Sequence, residues 1–294
     1  MNRRRFLLLS AAVLGAAVLS LPARRAARHD WAGVALGAEA RLTLSGATDR
    51  QARRIFARVT AELALIEAQF SLYRESALTR LNRDGRLAHP PPQITELFAL
   101  AGRVHAATGG AFDPSVQPLW LAMAGQGDLA AARAAVGWSR VQTSAQEIRL
   151  QPGMALTFNG IAQGHAADRI AGVMRDEGLG DVLIDMGEVR AMGRRPDGAA
   201  WQARIAGPEG RALRDLGLVD RALATSSPLG TRIGAGAGHI LHPSGQPARW
   251  RTASVSAASA AVADALSTAA CLLDRTALER ALAAFPDARL EHLS

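Results

Sequence analysis

Residues 161–185, IAQGHAADRIAGVMRDEGLGDVLID, read as one helix to about Glu177 followed by a buried strand, and the order of elements around them decides the fold class. Upstream, between Arg140 and Phe158, three short strand-like runs follow one another. Farther back, Thr95 with Glu96 opens a helix that Gly109-Gly110 ends, behind a loop closed by Pro90, Pro91 and Pro92. Asp49 to Phe70 sets Ile55, Val59, Leu63, Ile66 and Phe70 at steps of three and four, the stripe of an amphipathic helix lying on a sheet. GVALGAEARLTLSG, residues 33–46, reads as an opening strand pair, and Gly-rich turns follow the strand at 181–185. Helices and strands mix irregularly instead of in strict βαβ order. This predicts an α+β chain, mixed sheets flanked by helices, and not a doubly wound parallel sheet.

With 294 residues, 49% of them hydrophobic, the chain is long enough for one large core or two smaller ones. All 34 basic side chains are arginine. Six of them, Arg3, Arg4, Arg5, Arg24, Arg25 and Arg28, fall in the first 28 residues, where no acid stands. Taking those six from a formal net charge of +8 leaves +2, which is no electrostatic footprint for nucleic acid. The single cysteine, Cys271, excludes an internal disulfide and any cysteine-built metal site. Its apolar setting, STAACLL, predicts a buried and inert thiol.

MNRRRFLLLSAAVLGAAVLSLPA, residues 1–23, has a basic start, an apolar run and a small residue after Pro22. That is the layout of a cleavable secretory signal, and Arg3-Arg4 before Phe6-Leu7 resembles the twin-arginine form. An uncleaved membrane anchor is the alternative. The expectation is a signal over residues 1–28 and a single domain over 29–294, or two closely packed subdomains, working in the periplasm.

Five polar or Gly-rich islands interrupt the scaffold. In FSLYRESALTRLN, Tyr73, the chain's one tyrosine, follows a helix end, where an aromatic is a packing residue or a ligand platform. TGGAFDPSVQPLW brings Phe112, Asp113 and Ser115 to a turn beside Gly109-Gly110. FNGIAQGHAAD sets Gly160 and Gly164 at the mouth of a helix, where free N–H groups hold phosphate. ALATSSPLG is followed by GHILHPSG, whose His239 and His242 are three apart; on a strand they would face opposite sides. One is then a base and the other structural, or both are simply hydrogen-bonded in the fold. Finally, Asp264 and Thr268 stand four apart in an Ala-rich helical run. On one helix face they offer hard oxygens suited to Mg²⁺ or Ca²⁺, or they are merely solvated.

In the order in which they come, these islands resemble the FAD:protein FMN transferase family, the ApbE-type flavin transferases, over nearly all of residues 33–275. Ser71, Tyr73, Ser76, Leu81 and Asn82 fit the family's first pattern, and Thr108 to Pro114 fit its Thr-Gly-Gly-x-Phe-Asp-Pro. Gly160 to Gly164, Ala224 to Ser226 and His239 to Pro243 fit the next three. Ala263 to Ala269, ADALSTA, fit the last without a mismatch.

The resemblance implies an enzyme that cleaves the FAD pyrophosphate and attaches FMN through a phosphoester to a Ser or Thr of an acceptor protein, releasing AMP. It implies Mg²⁺ held by Asp264, Thr268 and a carbonyl near Gly160, with Ser267 as a further ligand. His239 is implied as the base that takes the acceptor's proton, and Tyr73, Phe112, Asp113, Thr225 and Ser226 as the nucleotide's contacts. Thr157 and Gln163 stand at two further cofactor-binding positions as departures, where relatives carry Asp and Lys or Glu. His165 replaces a common Tyr, Gly187-Glu188 stands near a usual Gly-Gly, and His242 replaces an Asp. The acceptor would be an exported redox protein with an FMN-binding domain, or part of a membrane-associated redox complex. A non-catalytic protein that carries or donates FAD is the other reading.

Overall fold

The computed structural model describes residues 28–294; the expected signal segment, but for Arg28, lies outside the described residues. Strands β1 (Arg28–Ala35) and β2 (Ala38–Ser45) form the expected hairpin, turned by Leu36 at φ 51° and Gly37 at φ 85°. Paired positive φ angles suit the right-handed twist of the flanking strands. Helix α1 (Asp49–Phe70) follows, capped by Thr48, and buries Ile55, Val59, Leu63, Ile66 and Phe70, the stripe read from sequence. Helix α2 (Ala77–Asp84) opens with a capping box between Ser76 and Thr79, and β3 (Arg86–Ala88) comes next.

Helix α3 (Pro92–Ala107) begins three residues before the predicted Thr95, because Pro92 occupies the first turn, where a missing N–H costs nothing. Short helices α4 (Gln117–Met123) and α5 (Leu129–Ala135) lead to β4 (Gln142–Thr143) and β5 (Glu147–Arg149). Of the three strand-like runs expected between Arg140 and Phe158, only these two are strands. The third is a loop whose backbone bonds to a side chain: Asn82 receives the Leu156 N–H at 2.7 Å and donates to the Leu156 carbonyl at 2.8 Å.

Helix α6 (Ala162–Asp176) leads into β6 (Val182–Asp185) and β7 (Val189–Met192). The ribbon β8 (Trp201–Ala206) and β9 (Ala212–Leu218) precedes β10 (Ala222–Ser226). Strands β11 (Arg232–Ile233) and β12 (Ala237–Gly238) are two residues each. Strand β13 (Ala253–Ala257), helices α7 (Ala260–Ala270) and α8 (Arg275–Ala283), and β14 (Arg289–Leu293) complete the chain.

Seven strands make one sheet in the order β1-β2-β6-β7-β10-β13-β14, antiparallel at every pairing, so the chain is α+β as expected. Alternation along the central strands sends Val182, Ile184, Ala222, Ala224, Val255 and Ala257 into the larger core beneath the helices. The intervening Leu183, Val189, Ala191 and Leu223 meet Trp201, Ile205 and Leu218 of the β8–β9 ribbon in a second, smaller core. Cys271 is buried, as its apolar setting predicted.

Candidate active site

The helix-facing side of the sheet brings α6 and α7 together at the end of β10. They cross so closely that a Cβ on Gly164 would lie 2.3 Å from the Ala260 carbonyl oxygen. Only glycine permits that approach. The N–H of Gly164 donates to Asp264 Oδ2 at 3.0 Å. Gly164 was expected to hold phosphate; instead it seats the carboxylate of the neighbouring helix. One turn earlier, a Cβ on Gly160 would stand 3.0 Å from Thr268 Oγ1, so the bare glycine leaves that hydroxyl uncovered.

Asp264 is 3% exposed. Burial raises its pKa above the usual carboxylate range, with the Gly164 N–H pulling the other way. A second buried carboxylate, Glu188 in the turn between β6 and β7, is pushed well above the usual carboxylate range by burial and by the Asp264 and Asp185 charges. The nearby Thr225 backbone N–H pulls the other way. Gln163 lies over the same turn, since a Cβ on Gly187 would come 2.7 Å from its Nε2.

Ser226 faces α7: its Oγ is 2.7 Å from Ser267 Oγ and 3.3 Å from Thr268 Oγ1. Ser267 is fully buried and donates to the Asp264 carbonyl at 2.9 Å, so its proton is spent within the helix. Thr225, one residue away on the strand, turns to the opposite face and pairs with Ser254 Oγ at 2.9 Å. The two residues expected to act together are split by the sheet, and only Ser226 joins the Asp264–Thr268 face.

His239 follows β12 in an irregular segment, and His242 lies in the loop beyond, so the alternation expected of a strand carrying both does not apply. The two are separated instead by their hydrogen bonds. His239 Nδ1 lies 3.0 Å from the Pro228 carbonyl and 3.3 Å from that of Thr231. Carbonyls only accept, so Nδ1 carries the proton and Nε2 keeps its lone pair. Burial lowers the pKa of His239, with those two carbonyls opposing, which keeps the ring neutral near pH 7. His242 Nδ1 instead accepts the Ser244 N–H at 3.2 Å and meets Ser244 Oγ at 2.7 Å.

The remaining predicted residues sit around this centre. Pro228, which straps His239, is two residues past Ser226. Thr157 donates its N–H to the Pro114 carbonyl at 2.8 Å, tying the Phe112–Asp113 turn to the segment that carries Gly160. The Asp113 carboxylate receives the Ser115 N–H at 2.8 Å, Ser115 Oγ at 2.6 Å and the Trp138 N–H at 3.3 Å, so its oxygens hold the turn together. Phe112 is 5% exposed and belongs to the main core. Tyr73 is 72% exposed, its ring edge lying where a Cβ on Gly37 would be 3.1 Å away, an open aromatic face at the hairpin turn. Sequence reading passed over Glu188 as a ligand neighbour, although a carboxylate directly after a buried strand and a glycine turn is a usable signal.

No group of three or more His, Cys, Asp or Glu side chains that could hold a metal ion occurs among the described residues. A cation here would depend on one carboxylate with hydroxyl and carbonyl oxygens, and such hard donors match Mg²⁺. The fit is supported by two buried carboxylates lacking a cationic partner and by the gap that the missing Gly160 side chain leaves at Thr268.

The model of the ApbE family matches residues 36–290. The chain is 28% identical to the FAD:protein FMN transferase of Klebsiella pneumoniae over 83% of this chain and 80% of that protein. Against the FAD:protein FMN transferase of Salmonella typhimurium it is 26% identical, over 64% of this chain and 59% of that protein. Among solved structures, the Pseudomonas stutzeri flavinyl transferase ApbE, in its apo form, is 25% identical with a TM-score of 0.76, covering 90% of this chain and 89% of that one. The ApbE protein of Thermotoga maritima shares the fold at a TM-score of 0.78 and 23% identity, over 90% and 93%.

Proposed function

The chain belongs to the ApbE family, and on that premise we propose that it is an FAD:protein FMN transferase, exported through its twin-arginine segment, with FAD as substrate and Mg²⁺ as cofactor. Bound Mg²⁺ would supply positive charge beside the pyrophosphate, the usual aid to phosphoryl transfer. Asp264, Thr268 and the Gly160 carbonyl would hold it. His239 Nε2 takes the proton of an acceptor Ser or Thr hydroxyl. The hydroxyl oxygen forms a bond to the FMN phosphorus, the pyrophosphate P–O bond breaks, and AMP departs with the electron pair. Gly164 keeps the Asp264 carboxylate aimed, and the exposed ring of Tyr73 offers a stacking surface for flavin or adenine.

The single observation that carries the enzymatic reading over a flavin-carrying one is the fixed Nδ1–H of His239, which leaves a neutral Nε2 free to act as a base. The test is incubation of the protein with FAD, Mg²⁺ and an FMN-binding domain bearing a target Ser or Thr, followed by intact mass. Gain of one FMN by the acceptor, abolished by EDTA, is the expected result. Tight FAD binding with no transfer to any acceptor would favour the carrier.

A further inference from the structure

Beyond the site residues already named, Asp168 on α6 collects an unusual set of donors. Ser259 Oγ lies 2.7 Å from its carboxylate, the Ala260 N–H 2.9 Å, the Ala261 N–H 3.1 Å and Arg190 Nη1 2.8 Å. Ser259 is the N-cap of α7, and Ala260 and Ala261 are its first two residues. Asp168 therefore caps α7 from a different helix, satisfying N–H groups that have no partner within α7 itself. The arrangement is reciprocal. One turn back along α6, Gly164 in the first turn donates to Asp264 of α7, so each helix places a carboxylate on the start of the other. Arg190 ties the pair to β7, donating to the Ala258 carbonyl as well as to Asp168.

Two fixed points determine how far α7 can slide or turn against α6. Asp264 is four residues from Ala260 and Thr268 eight, so a slip at the capped end displaces both candidate ligands from Gly160. We propose that Asp168 is a positioning residue for the Mg²⁺ site: by capping α7 it holds Asp264 and Thr268 at their places beside Gly160, without touching the metal. The inference rests on the Mg²⁺ reading of Asp264 given above. Outer partners of this kind change metal affinity by about 10–100-fold.

The test uses calorimetric titration of the purified protein with Mg²⁺ alone, alongside thermal melting without metal. Asp168→Ala is expected to weaken Mg²⁺ binding by about 10–100-fold. Ala260 and Ala261 donate to different oxygens of Asp168, so Asp168→Asn keeps an acceptor for only one of the two N–H groups and is expected to recover part of that affinity. Ile205→Ala, in the separate β8–β9 core, lowers the melting temperature and is expected to leave Mg²⁺ affinity unchanged. Should Asp168→Ala fail to fold, Ser259→Ala and Arg190→Gln each remove one of the carboxylate's partners and are read by the same titration. Unchanged affinity in the Asp168 variants, or equal losses in them and in Ile205→Ala, would overturn the positioning role alone. A wild-type protein that binds no Mg²⁺ would overturn the metal reading and this inference with it.

Discussion

Thr268 Oγ1 lies 3.0 Å from the point where a Cβ on Gly160 would stand. Gly160 has no positive φ, so alanine is accessible to its backbone and the substitution tests the gap instead of the turn. Gly160→Ala is expected to fold, with a melting temperature near that of the wild type, and to bind Mg²⁺ at least about tenfold more weakly as its methyl group covers the hydroxyl. Magnesium titration by calorimetry, with melting as the control, checks it; full affinity would remove Thr268 from the ligand set.

The two histidines should separate in kinetics. His239→Ala is expected to lower transfer by roughly 10²–10⁴-fold, the range for a general base, while FAD affinity stays near wild type. His242→Ala, whose Nδ1 is engaged by Ser244, should change the rate little. Because burial lowers the pKa of His239, the midpoint of the wild-type rate's fall on acidification should lie below pH 6.5. Single-turnover assays across pH decide it: equal losses in both variants, or lost FAD binding in His239→Ala, would defeat the assignment.

His165 gives a stability prediction. Its Nε2 is buried with no hydrogen-bond partner, its ring packs edge-on against Phe70, and burial pushes its pKa down to about 4. In the unfolded chain the ring titrates at the ordinary value of 6.5. Between those values the unfolded state binds the extra proton, so stability is intact above pH 6.5 and is lost as pH falls toward 4. The shift corresponds to roughly 3 kcal/mol. His165→Phe should flatten the melting temperature across that window, and an unaltered acid limb would show that other groups carry it.

Export is tested by the arginine pair. Changing Arg3 and Arg4 to Lys keeps the charge but removes the feature read by the twin-arginine route. The expected outcome is precursor retained in the cytoplasm, seen by fractionation and immunoblot. Periplasmic delivery of the double-Lys variant would mean that the general route suffices.

What could be read from sequence depended on whether a residue's role is local. The α1 stripe and the shared face of Asp264 and Thr268 follow from helix periodicity, so both were legible. Histidines 239 and 242 were misplaced because a two-residue strand leaves no periodicity to extend. Gly164 looked like a phosphate-binding glycine because its partner, Ala260, is remote in sequence and visible only once the helices cross. Splitting Thr225 from Ser226 required knowing that β10 is central and covered on both faces. Asp168 left no signal at all, since capping another helix has no spacing rule.

The sheet order carries a consequence for biosynthesis. Strand β2 pairs with β6, Arg41 against Asp185, and the last two strands added to that sheet lie beyond residue 252. Such remote pairings make folding slow, because the ends of long loops must meet before any contact rewards them. Gly160 and Thr268 come from opposite sides of that closure. A nascent chain cut anywhere before Thr268 therefore lacks one of the proposed ligands, and on the Mg²⁺ reading metal occupancy would mark only molecules made past Thr268 and folded across that closure.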